Sequence, residues 1–290
     1  MRAVTIDSSP DPEGPGNLPV RRRARRSGRH RGAESFALPP DAPALVLAVP
    51  GPEGGPGAAV AAELGLLTET AHTGRPVWIG HLEGDRNPLT DVLAAAVADH
   101  AVAEGSPAAV VVPLLVGPHP AVDKTLQDSV GTAPGPVVVA QSLGPHPLIA
   151  QALHERLAEA GLARADRVRM VSMVSAAGGI VVATAGGEGA VRDAEMSSVL
   201  LASRLAVPVV TGSLDGVPTI RDAAAQLQRT GALRIAIAPA VIGPEVDAGL
   251  AGAAVAELGV QSAGLLGAHP ALAQLIALRY VEALERALTG

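Results

Sequence analysis

Pro76-Val77-Trp78-Ile79-Gly80-His81-Leu82-Glu83-Gly84 and Pro208-Val209-Val210-Thr211-Gly212-Ser213-Leu214-Asp215-Gly216 are one nine-residue pattern written twice, 132 residues apart. Each copy runs from a proline through a short apolar run to a glycine and a polar turn carrying a carboxylate, which reads as a strand ending in a loop. The doubling continues outward in both directions. Upstream, Ala48…Gly51…Glu53-Gly54 matches Ala183…Gly186…Glu188-Gly189 at a spacing of 135. Downstream, Pro113…Gly117-Pro118 matches Pro239…Gly243-Pro244 at 126, and Leu143-Gly144-Pro145-His146-Pro147 matches Leu266-Gly267-Ala268-His269-Pro270 at 123. Four ordered matches with a steadily shrinking spacing mark an internal duplication.

Within each copy, apolar runs alternate with Ala-rich helical stretches. Strands are expected at Leu45–Val49, Val77–Gly80, Ala109–Pro113 and Val137–Ala140, then at Ile180–Ala183, Val209–Gly212, Ile235–Pro239 and, more weakly, Ala263–Leu266. Helices are expected at Ala58–His72, Leu89–Glu104, Pro147–Ala160, Val191–Leu205, Thr219–Arg229 and Pro270–Leu288, and Pro120 reads as a further helix start. Continuous apolar strands between helices imply parallel sheets covered on both faces. The predicted fold is α/β: two duplicated Rossmann-like units, each a four-stranded, mainly parallel sheet flanked by helices. Predicted boundaries are 1–40 for a disordered Arg-rich arm, 41–165 for the first repeat and 166–290 for the second.

Charge separates the arm from the rest. Residues 1–40 hold eight Arg against four acids, net +4, whereas residues 41–290 hold 14 basic and 24 acidic side chains, net −10. The cluster Arg21-Arg22-Arg23-Ala24-Arg25-Arg26 lies in Pro/Gly-rich sequence without apolar periodicity. Ala44–Val49 is too short, and too far from these arginines, for the apolar core of a signal peptide. No stretch approaches an uninterrupted membrane span, so a cytoplasmic protein is expected. Cysteine is absent, which excludes disulfides, thiolate metal sites and thiol nucleophiles. Only Phe36, Trp78 and Tyr280 are aromatic, too few for a nucleic-acid stacking platform, and no nucleic-acid partner is expected.

Ligands of open parallel α/β sheets bind beyond the carboxyl ends of the strands. In the first repeat those loops carry His81-Leu82-Glu83 and Gly117-Pro118-His119; in the second they carry Ser213-Leu214-Asp215 and Gly243-Pro244-Glu245. If the halves face each other, His81, Glu83, His119, Asp215 and Glu245 are placed to converge on a metal or polar ligand. Strand alternation would put His81 and Glu83 on one face, so that with His119 they supply two nitrogens and a carboxylate. Three His-Pro pairs, at 119, 146 and 269, each read as the residue before a helix; that is the reading preferred for His146 and His269. His72, His100 and His154 read as surface residues of helices. Gly186-Gly187-Glu188-Gly189 lacks the spacing of a phosphate-binding loop, and no nucleophile-elbow motif is present.

Glu83 five residues before Pro88, Val112-Pro113-Leu114-Leu115 followed by His119-Pro120-Ala121-Val122-Asp123, and the Leu143-Gly144-Pro145-His146-Pro147 turn together resemble the sirohydrochlorin chelatase family of the CbiX and SirB type. Gly186, Pro218 and Gly267-Ala268-His269-Pro270…Arg279-Tyr280 resemble the second half of its two-repeat members, so the resemblance covers roughly 44–285. It implies insertion of Fe²⁺ or Co²⁺ into a tetrapyrrole of siroheme or cobalamin biosynthesis, with His119 as base or metal ligand and Glu83 as metal ligand. Metal and tetrapyrrole would both be substrates, with no permanently bound cofactor. The chain departs from the family at Pro50-Gly51-Pro52, where members carry His-Gly-Ser. His81 is the candidate replacement for that histidine, and a non-catalytic descendant binding a tetrapyrrole, a metal or a protein is the alternative. Sirohydrochlorin is a polycarboxylate, so attraction to an acidic repeat pair would be local, from helix-start N–H groups and from Arg86, Lys124 or Arg221.

Overall fold

The computed structural model describes residues 38–39, 41–99, 105–163, 177–243, 245–246 and 249–289; the predicted arm lies outside them, apart from its last residues. The first repeat runs β1 (Ala44–Pro52), α1 (Pro56–Thr68), β2 (Val77–Glu83), α2 (Leu89–Asp99), β3 (Ala109–Pro113), α3 (Pro120–Val130), β4 (Val137–Val139) and α4 (Pro147–Glu159). The second runs β5 (Gly179–Thr184), α5 (Gly187–Leu205), β6 (Val209–Ser213), α6 (Ile220–Arg229), β7 (Ile235–Pro239), α7 (Leu250–Leu258), β8 (Gln261–Ser262) and α8 (Pro270–Thr289). Both sheets are parallel, ordered β2-β1-β3-β4 and β6-β5-β7-β8. In each, the order reverses between the first and third strands, which opens a crevice at their carboxyl ends.

Strand alternation divides the interior into three regions. Val46, Ala48 and Val111 face Leu89, Leu93 and Leu126 of α2 and α3, while Val181, Ala183 and Ile237 face Ile220, Ala223 and Leu227 of α6. Leu45, Leu47, Val110 and Val112 point the other way, into one large core shared with Ile180, Val182, Ala236 and Ala238 of the second sheet. Period-2 burial on both faces explains why these strands are unbroken apolar runs.

The shared core is closed by an exchange of helices. α8, at the end of the second repeat, packs on α1, β3 and β4, whereas α4, at the end of the first, packs on α5 and β7. The exchange is pinned reciprocally. Arg156 on α4 donates from Nε and Nη2 to the Leu266 carbonyl (3.1 and 2.7 Å), and Arg279 on α8 donates from Nη2 to the Leu143 carbonyl at 3.0 Å. Both the arginines and the carbonyls are 123 residues apart, the spacing of the duplicated turns that hold those leucines. Each arginine also meets the carboxylate three residues on, Glu159 or Glu282. Tyr280, fully buried, donates its hydroxyl to the Pro43 carbonyl at 2.7 Å and ties α8 to the start of β1.

Several expectations are corrected. The Ala263–Leu266 strand is instead Gln261–Ser262: Ala263 N–H still reaches the Ile237 carbonyl, but Leu266 N–H follows the loop after β7 to Val241. The helix predicted to His72 ends as α-helix at Thr68 and finishes in a π-helical turn, Glu69–Thr73. Thr219 is the N-cap of α6, in a reciprocal capping box with Asp222, and not its first residue. His72 and His154 are buried, not exposed. His100 lies outside the described residues. Among the described residues no helix is long and apolar enough to cross a membrane.

Candidate functional site

The loops after β1, β2 and β3 carry the first-repeat candidates, and each is held differently. β1 breaks register with β2 between Val49 and Pro52, and Gly51 takes a φ of 81° there. This bulge turns the Gly51 carbonyl toward Nδ1 of His81, 3.2 Å away. A carbonyl only accepts, so the neutral ring carries its hydrogen on Nδ1 and keeps the Nε2 lone pair. The ring is buried, whereas Glu83, two residues on and opposite Pro52, is exposed at the strand end. Nearby, Glu53 accepts from Asn87 Nδ2 at 3.1 Å and faces Arg86 at 3.6 Å.

The three His-Pro turns share a sequence but not a role. At His146, Nδ1 accepts the Leu148 N–H (3.2 Å), and at His269 it accepts the Ala271 N–H (3.2 Å), so both rings fold back to cap α4 and α8. Burial holds both imidazoles below the ordinary histidine range, which keeps the accepting nitrogen unprotonated; at His269 the Glu155 carboxylate works against that shift. His119 also occupies an N-cap position, but its ring makes no capping bond. Asp123, one turn into α3, accepts the His119 backbone N–H at 3.0 Å. The imidazole faces the second repeat, with Nε2 3.7 Å from Oδ2 of Asp215. Its Nδ1 is buried without a hydrogen-bond partner.

Asp215 is the most tightly held carboxylate of the group. Gly186 N–H donates to both its oxygens (3.1 and 2.9 Å), and Gly187 N–H (3.1 Å) and Ser213 Oγ (2.8 Å) donate to Oδ1. Partial burial opposes its charge, but these donors, with His119 beside it, outweigh burial and hold the carboxyl below its usual range. It thus fills the N-terminus of α5, where backbone N–H groups and the helix dipole favour an anion. The α5 start also supports the His119 loop: a Cβ on Gly186 would lie 2.2 Å from the Pro118 carbonyl oxygen and 3.2 Å from the His119 Cα.

Glu245 stands where the repeat places His119, 126 residues on, but folds back to accept the Ile242 and Gly243 N–H groups. Burial pushes its carboxyl up to about 7 against those bonds. The folded protein therefore holds a proton between about 4.5 and 7 that the unfolded chain has released, so this contribution to stability is complete below that window and lost as pH rises to about 7. Glu245→Gln does not titrate there, and its thermal midpoint should gain on that of the wild type between about pH 5 and about pH 8. Parallel pH curves for the two proteins would count against a titrating Glu245.

Of the residues predicted to converge, the structure brings His119 and Asp215 together. His81 is engaged by Gly51, Glu83 faces solvent and Glu245 is turned onto its own loop. Among the described residues, no three His, Asp or Glu side chains are gathered as a metal cluster. Arg221 is paired with Glu257, and Lys124 is exposed on α3. Asp215 was visible in sequence as the counterpart of Glu83; nothing in its spacing singled it out as the partner of His119.

The sequence of residues 44–160 matches the CbiX family. The CbiX segment spans β1 to α4 and so includes His81, Glu83 and His119, but not Asp215. No protein with a curated description matches the chain. Among solved structures, SirB from Bacillus subtilis with Fe³⁺ aligns with a TM-score of 0.63 and 16% identity, over 84% of this chain and 96% of that one. The sirohydrochlorin chelatase SirB from Bacillus subtilis subspecies spizizenii in complex with cobalt aligns at 0.59 and 14%, over 84% and 95%. These likenesses span both repeats and show a shared fold: the second repeat, outside the CbiX match, completes the same two-sheet architecture.

Proposed function

We propose that this protein inserts a divalent metal, Fe²⁺ or Co²⁺, into a sirohydrochlorin-type tetrapyrrole, in the cytoplasm, as a step toward siroheme or cobalamin. The observation that carries this reading is the release of the His119 ring from helix capping, within a CbiX segment, at the carboxyl end of β3. Metal insertion needs a base for two pyrrole N–H protons and a few exchangeable N/O ligands for the incoming ion. His119 supplies the base or a nitrogen ligand, exposed Glu83 meets the metal, and His81 offers the Nε2 lone pair that Gly51 leaves free. Pro50 stands where family members carry histidine, and that one residue favours a second reading, a binding protein that holds the tetrapyrrole or metal without inserting it.

The visible spectrum of sirohydrochlorin mixed with Co²⁺ or Fe²⁺ separates the two. Catalysis predicts conversion faster than the protein-free reaction. A spectral shift at the protein-free insertion rate would reject the enzyme and support the carrier. Pro50→His, restoring the imidazole at the β1 end, should raise the rate if that position limits it.

A further inference from the structure

The second repeat meets the candidate site through a fixed carboxylate. Three donors clamp Asp215 from its own repeat, and among the described residues none comes from the first. Its Oδ2 nevertheless faces the His119 ring across the repeat boundary at 3.7 Å. The His119 backbone is held by Asp123 from α3 and by the close approach of Gly186 to Pro118, while Nδ1 of the ring has no hydrogen-bond partner. Among the described residues, two carboxylates meet His119, Asp123 at its backbone and Asp215 at its ring.

We propose that Asp215 is a positioning residue for metallation: it holds the His119 imidazole across the repeat boundary and offsets the positive charge the ring takes up on accepting a pyrrole proton. This rests on the chelatase reading above. In the step concerned, a pyrrole N–H bond breaks, the proton passes to the imidazole, and the electron pair stays on the pyrrole nitrogen to bind the metal. A second such transfer follows after the ring gives its proton to water, so two protons leave for each divalent ion inserted. A carboxylate anchored beforehand by Gly186, Gly187 and Ser213 meets this charge without rearranging. The duplication would then have divided the labour, with the imidazole kept in one copy and its counter-charge in the other.

The test is a kinetic double-mutant cycle with Asp215→Asn, His119→Gln and the double variant, following Co²⁺ insertion into sirohydrochlorin. Asp215→Asn keeps the side-chain shape at the α5 start; Asp215→Ser replaces it if the asparagine variant does not fold. The expected result is a kcat about tenfold lower with KM changed less than about twofold, and no further loss from the second substitution once His119 is glutamine. Equal losses in both backgrounds, or an unchanged kcat, would overturn the proposal. If the wild type does not exceed the protein-free rate, the chelatase reading has failed, and the pairing is decided by unfolding of the same four proteins at about pH 5.5. Coupling of about threefold in the unfolding constant would then uphold the contact, and additive effects would overturn it.

Discussion

His119→Ala is expected to lower kcat for metal insertion by at least about a hundredfold, the scale on which losing a positioned base acts, while leaving the protein nearly as stable as the wild type. The two halves of this expectation come from one observation. The ring at 119 caps nothing: its side chain makes no hydrogen bond to the start of α3, and the link there is the one Asp123 makes to the His119 backbone N–H. His146→Ala and His269→Ala should behave in the opposite sense. Each removes an acceptor from a helix N-terminus, at a cost of about 1 kcal/mol, without touching the ring at 119. Spectrophotometric rates and urea unfolding on the three variants compare these effects directly. A stability loss at 119 equal to those at 146 and 269, with the rate unchanged, would return His119 to the role of an ordinary residue before a helix.

Gly186→Ala should cost about 3 kcal/mol or more in urea unfolding and abolish insertion with it. Gly186 has a φ of 105°, which an alanine adopts only under strain, and its new Cβ would lie 2.2 Å from the Pro118 carbonyl oxygen. Backbone stands on both sides of that clash, so neither partner can turn aside. Relief requires moving the Pro118-His119 loop away from the start of α5, and with it the facing of His119 and Asp215. Gly187→Ala is the control without the clash: its φ of 70° lies at the edge of the left-handed region open to alanine, and nothing lies within 4 Å of the added carbon. That variant should lose only about 1 kcal/mol. Equal losses for the two would mean that the inter-repeat contact contributes nothing beyond the strained φ.

The strands legible in the sequence are those buried on both faces. Leu45–Val49, Ala109–Pro113 and Ile180–Ala183 are apolar throughout because helices cover each side, so composition alone marks them. β8 is not legible, for the opposite reason. Two residues of an edge strand carry little pattern, and the Ala263–Leu266 run is apolar because Leu266 is buried beneath the loop after β7, not because it lies in the sheet. Local context alone suggests surface positions for His72 and His154, yet what buries a helix surface belongs to the element packed against it, which the local pattern does not name.

The duplication, the parallel α/β class and the positions of the candidate loops follow from the sequence by itself, since burial periodicity and repeated turns are local properties that survive in one dimension. The tertiary structure decided which elements share a core and which of three identical His-Pro turns is free to do chemistry. An apolar helix after β4 satisfies its pattern equally well on its own sheet or on the other, and the reciprocal Arg156 and Arg279 bonds show that it took the other. The histidines differ through contacts made across space: a distant aspartate faces one ring, whereas the other two fold back onto their own helices. A dipeptide cannot encode that distinction, because it depends on what the opposite repeat brings to within a few ångströms.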